Sequence, residues 1–131
     1  APQPLGKIAS GGELSRISLA IQVVTASAGT VPSMVFDEVD VGIGGAVAEV
    51  VGKLLRGLAA KTQVLCVTHL AQVAAQGHQH LQVSKTTDKK SVQTDLSALD
   101  SDGRVEEIAR MLGGVKITKQ TLAHAREMLE S

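Results

Sequence analysis

Residues 33–69 read SMVFDEVDVGIGGAVAEVVGKLLRGLAAKTQVLCVTH. Two short apolar runs, Ser33–Phe36 and Gln63–Thr68, each stop at reactive side chains: Asp37-Glu38 after the first, His69 after the second. Between them lie a glycine-rich turn, Asp40-Val41-Gly42-Ile43-Gly44-Gly45, and a helical stretch of about Ala46–Leu58. Strand, turn, helix and strand with a connection of this length predict two parallel strands joined by a right-handed crossover. The fold class is α/β.

Upstream, both prolines of residues 1–9 resist helix and predict an extended approach. A helix then starts at Ser10-Gly11-Gly12-Glu13, where Ser10 and Glu13 have capping-box spacing. Leu14, Ile17, Ile21 and Val24 follow at helical intervals along one face, until Gly29 and Pro32 stop the element. Downstream, the pattern predicts a short helix around Leu70–Ala75. His80–Lys85 and Ser91–Ala98 predict a hairpin around Thr87-Asp88-Lys89-Lys90. Two tail helices, about Arg104–Leu112 and Thr118–Leu129, are separated by Gly113-Gly114.

Composition removes several classes of function. The 131 residues are 44% apolar and 20% charged, which is neither disordered nor fibrous. No run approaches the ~18 apolar residues that span a bilayer, and no charged-then-apolar signal stretch opens the sequence. Lys and Arg number 13 against 13 Asp and Glu, with no pooled basic region. A module living on phosphate contacts would carry a basic excess. Phe36 is the only aromatic residue, so no base-stacking platform exists. The lone Cys66, inside an apolar run, excludes a disulfide framework and fits a reducing cytosol.

Ligands of open parallel sheets bind beyond the carboxyl ends of the strands. Acids placed there are costly unless they meet water, a cation or a polar substrate. One carboxylate suits a hard divalent metal beside phosphate, and a second is then free to orient or deprotonate water. Solvated strand ends are the plainer alternative. Ser10-Gly11-Gly12 is similarly two-sided: it is either an ordinary helix cap or an anion site built from outward-pointing amides and the helix dipole.

The order of these features over 60 residues resembles the C-terminal half of an ABC-type ATPase head. Ser10-Gly11-Gly12-Glu13 is similar to the signature motif, with Ala9 where Leu is commoner. Met34-Val35-Phe36-Asp37-Glu38 resembles Walker B, Asp40 the D-loop residue, and His69 the switch histidine. Residues 8–16, 35–43, 68–74 and 104–114 resemble the bacterial RecN family of SMC-like DNA repair ATPases. The resemblance implies ATP and Mg²⁺ as cofactors. It implies that Asp37 holds the metal, Glu38 activates the hydrolytic water and His69 contacts the γ-phosphate. Asp40 would link two facing heads, while Ser10, Gly11, Gly12 and Glu13 would bind nucleotide held by the opposite head. The implied partners are a Walker A-bearing N-terminal lobe, a second head in a homodimer, and DNA through the whole protein. The implied setting is the bacterial cytoplasm, near the nucleoid and without a membrane, in double-strand break repair and recombination.

One departure is decisive for activity. Gly6-Lys7 and Gly52-Lys53 are followed by Ile8 and Leu54 rather than Ser or Thr, and neither has the upstream glycine of a phosphate cradle. No Walker A loop is therefore present, and the chain alone is expected not to hydrolyse ATP. Loss of the partner lobe is also expected to leave apolar sheet surface open. Cys66 reads as a core residue, His78, His80 and His124 as surface or structural groups, and Lys85, Lys89 and Lys90 as a solvated turn. Arg16 stays divided between a structural ion pair and a role near nucleotide. Two other functions fit less of the chain. A transporter nucleotide-binding lobe lacks the stretches around Asp40 and Gln72, and a non-catalytic ATP-sensing dimerisation module has no need of Glu38.

Overall fold

The computed structural model describes residues 17–21, 24–25, 31–37, 39–88, 91–113 and 116–131. The chain divides into two units, Ala1–Gln76 and Gly77–Ser131.

In the first unit, β1 (Ser33–Phe36) pairs in parallel with β2 (Gln63–Cys66), Phe36 lying opposite Cys66. The expected β–α–β order is present. Helix α1 (Gly45–Leu58) connects the strands, and a single turn, α2 (Ala71–Ala74), follows β2. Gly42 and Gly45 sit at φ 71° and 53°, a region disfavoured for residues with a Cβ, so the glycine turn can double back sharply into α1. Ala48, Val51, Leu55 and Leu58 recur on one side of α1 and bury against Phe36, Val39, Val73 and Leu19. Strand alternation sends Met34 and Phe36 into this cluster and leaves Val35 67% exposed.

Three expectations are modified here. The apolar run Gln63–Thr68 reads as a buried-type strand, yet Leu65 and Val67 are exposed because among the described residues only one face of the pair is covered. Pairing continues one step past Cys66, where Val67 N–H donates to Phe36 O at 2.8 Å. From Thr68 the chain leaves the ladder for a side-chain partner. In the helical residues 17–21 and 24–25, Leu19 is the buried position, while Ile17, Ile21 and Val24 are exposed. The spacing locates an apolar stripe correctly, but that stripe faces away from the described core. The remainder of that predicted helix, and residues 1–9, lie outside the described residues.

In the second unit, β3 (Leu81–Asp88) and β4 (Ser91–Ala98) form an antiparallel hairpin. The strands run past the expected turn start because Thr86 and Thr87, β-branched residues suited to a pleated surface, find cross-strand partners in Gln93 and Val92. Lys89 and Lys90 lie outside the described residues. Helix α3 (Ser101–Gly113) begins earlier than its apolar pattern suggests. Asp100 Oδ1 accepts from Gly103 N–H at 2.8 Å, a side-chain cap that overrides the helix-breaking reputation of glycine. Helix α4 (Lys119–Glu130) is capped by Thr118, which accepts from Thr121 N–H at 3.1 Å. Ile108, Ala109 and Ala125 are fully buried in this unit. Buried Glu107 accepts from Gln82 Nε2 at 2.6 Å and from Arg110 through Nε at 2.7 Å and Nη2 at 2.6 Å. The Arg110 contact, aided by Gln82, holds the Glu107 carboxyl below its ordinary range despite burial.

Two glycines of α1 make a paired test. A Cβ at Gly52 would lie 2.9 Å from Gln76 Cγ and 3.0 Å from Gln72 O, whereas one at Gly57 meets nothing within 4 Å. Helix propensity favours alanine by about 1 kcal/mol at either site, but overpacking costs ~1–3 kcal/mol. Gly57→Ala should therefore raise the urea midpoint, and Gly52→Ala should lower it. Equal shifts would show that α1 and α2 do not approach as described.

Candidate functional site

The loops leaving β1 and β2 meet at one carboxylate. Asp40, 3% exposed, sits in the turn after β1, with Ile43 N–H donating to its backbone O at 3.3 Å. Its Oδ2 accepts from Thr68 Oγ1 at 2.5 Å and from His69 N–H at 2.9 Å. The His69 Nδ1 lies 3.2 Å from the same oxygen, while the His69 side chain is 72% exposed. Thr68 acts twice, since its hydroxyl also accepts Leu70 N–H at 3.0 Å and so steers the chain into α2.

Burial pushes the Asp40 carboxyl up, but the Thr68 hydroxyl, the His69 amide and the His69 imidazole more than offset that and hold it below 3.8. Asp37, immediately after β1, is exposed. Cys66 lies half-buried against the core, and burial, then the Asp40 and Asp37 carboxylates, push its thiol up to about 11. A thiol so held is protonated at neutral pH and is not a nucleophile.

Of the site residues read from the sequence, Asp40 and His69 come together and Asp37 stands at the strand exit. Glu38, Ser10, Gly11, Gly12 and Glu13 lie outside the described residues, as does Arg16. His78 is exposed, His80 is half-buried in the second unit, and His124 Nδ1 is 3.7 Å from Glu127 Oε2. No group of three or more His, Cys, Asp or Glu that could hold a metal occurs among the described residues. Thr68 is the participant that sequence reading missed. Its signal was a hydroxyl residue directly before the strand-end histidine, which has meaning only once a buried acid is known to face it.

No protein-family model matches the chain. The DNA repair protein RecN of Vibrio cholerae is 59% identical over 127 residues, covering 97% of this chain and 23% of that protein. RecN of Xylella fastidiosa (strain Temecula1) is 60% identical over 129 residues, and RecN of Deinococcus radiodurans 50% identical over 126. The chain matches the C-terminal region of RecN. It spans about a quarter of the length of these RecN relatives. A solved SMC ATPase structure, from work on ATP-driven dimerization and DNA-stimulated activation, superposes with a TM-score of 0.66 at 18% identity. It covers 84% of this chain and 66% of that one. The α/β fold expected from residues 33–69 is thus the fold of an SMC ATPase neighbour.

The buried carboxylate gives a stability prediction with a definite sign. A carboxyl whose folded pKa is depressed contributes stability that is present above its unfolded value, near 3.8, and lost as pH falls through the folded value. A hydrogen bond to a charged group is worth roughly 1.5–3 kcal/mol. Thr68→Val should cost about that much at neutral pH, and the deficit should shrink as pH drops through the carboxylate range. Urea midpoints of both proteins across that range measure it; a pH-independent deficit would rule out the charged bond.

Proposed function

We propose that the chain is one half of the ATP-binding and hydrolysing head of a RecN-like protein, working in the bacterial cytoplasm in DNA double-strand break repair and recombination. The observation that carries this reading is the junction at Asp40. It ties together the carboxyl ends of two parallel strands, where ligands of such sheets bind, in a chain that matches RecN over nearly its whole length. Among the described residues no helix is long and apolar enough to cross a membrane.

Asp37 fits a Mg²⁺ ion as a hard oxygen donor exposed at the strand exit. Among the described residues no cluster of three or more metal-binding side chains occurs, and phosphate oxygens and water would supply further coordination, the usual habit of this ion. Bound Mg²⁺ would neutralise phosphate charge. Glu38 orients and deprotonates the attacking water, and His69 reaches the γ-phosphate from the end of β2. Ser10, Gly11 and Gly12 bind the γ-phosphate of ATP seated on a second head, with Glu13 part of the same cofactor-binding motif, so that nucleotide joins two subunits. Asp40 belongs to the same cofactor-contacting face and would link the facing heads. The adenine and the main phosphate cradle belong to a Walker A-bearing lobe, and DNA is engaged through the whole protein. The exposed Val35, Leu65 and Val67 support a partner lobe, since apolar strand faces of this kind gain by being covered.

Removing a positioned general base costs ~10²–10⁴-fold in rate. In the assembled head, Glu38→Gln should lower ATP turnover by about that factor while an ATP-bound dimer accumulates, visible by light scattering. Full turnover with no trapped dimer would overturn the catalytic assignment and favour a nucleotide-sensing dimerisation module.

A further inference from the structure

We propose that the apolar face of the β3–β4 hairpin, carrying Leu81, Val83, Val92 and Leu96, is a docking surface for the Walker A-bearing lobe of the same RecN-like protein. The choice of occupant rests on the function proposed above; the docking face rests on the hairpin itself.

The hairpin is patterned against its own unit. Its register sets Leu81 opposite Ala98, Val83 opposite Leu96 and Thr87 opposite Val92, which gathers the apolar residues on one face. The other face is polar, with Gln82 opposite Ser97, Ser84 opposite Asp95 and Thr86 opposite Gln93. That polar face is the one that turns toward α3, because Gln82 Nε2 donates to buried Glu107. The apolar face is left open: Val83 and Leu96 are each 65% exposed, and Leu81 and Val92 are exposed on the same side. An antiparallel strand pair ordinarily lays its apolar face on its own core. Among the described residues no third strand joins β3 and β4, and a two-stranded hairpin left alone is marginal in water.

Size selects the occupant. Two strands of eight residues make a face of roughly 27 Å by 10 Å, on the order of 300 Å². A stable contact between separate molecules buries about 800 Å² on each. A second copy seated on this face alone therefore falls well short. A surface tethered in the same protein arrives at high effective concentration and needs no such area. The chain has about a quarter of the length of its RecN relatives, so a RecN-like protein has further chain to cover the face. Lys85 interrupts the apolar residues, opposite Thr94. The covering surface is thus apolar with a carboxylate or carbonyl oxygen placed over Lys85, since an ammonium covered without an acceptor is costly.

The test is maleimide labelling of introduced cysteines, read peptide by peptide by mass spectrometry. It compares this chain alone with Vibrio cholerae RecN carrying this chain in place of its matching region. Cys66, half-buried with a protonated thiol, is the slow internal reference that reports a folded first unit in both proteins. Val83→Cys and Leu96→Cys should label fast in the chain alone and roughly tenfold or more slowly in the whole protein. Thr86→Cys, on the opposite face, should label at similar rates in both. Fast labelling at positions 83 and 96 in the whole protein, or equal protection at position 86, would overturn the proposal. So would protection in the chain alone that grows with its concentration, the mark of a second copy. Protection at 83 and 96 in a protein that hydrolyses no ATP would keep the docking face and sink the ATPase reading. Turnover with both positions open would do the reverse.

Discussion

A single buried carboxylate oxygen organises the junction at the exits of the two parallel strands. Asp40 Oδ2 receives the Thr68 hydroxyl and the His69 amide and faces the His69 ring, thereby tying the turn after β1 to the exit of β2. Without the carboxylate, the Thr68 hydroxyl and His69 N–H would sit in a partly buried site with one acceptor missing, at a cost of ~1–3 kcal/mol for each unsatisfied group. The glycine turn is what permits the arrangement. Positive φ at Gly42 and Gly45 lets the chain reverse tightly enough for Asp40 to point inward before α1 begins.

The rest of the first unit serves to hold those two strand ends in register. Phe36 and Cys66 are paired residues at the ends of the parallel strands, and both pack against the α1 and α2 core. Chemistry and packing therefore alternate along a few residues: Phe36 buries, Asp37 emerges, Val39 buries, Asp40 turns inward. The opposite face of the pair, with Val35, Leu65 and Val67, is apolar and uncovered among the described residues. Marginal stability makes such a face significant, because each exposed Val or Leu forgoes ~1.5–3 kcal/mol of burial.

Much of this was legible in the sequence because the signals were local. Strand β1 has its expected bounds, since Ser33–Phe36 is a short apolar run between a proline and two acids. Helix α1 starts one residue early, at a glycine whose left-handed φ no periodicity encodes. Local reading failed where a long-range or side-chain partner decided the outcome. Helix α3 begins at its Asp100 cap rather than where the apolar spacing starts, and the hairpin strands outrun a turn signal because cross-strand pairs hold them. Asp40 is the clearest case. The sequence places it in a glycine turn, and only the fold reveals Thr68 and His69 facing it from 28 and 29 residues later.

The central claim is that this chain supplies one half of a composite ATPase site. Its most direct test is Mg²⁺-ATP turnover by the chain, by a Walker A-bearing RecN lobe, and by the two mixed. The account predicts turnover in the mixture alone. Hydrolysis by the chain alone, or an assembled mixture that stays inactive, would contradict it.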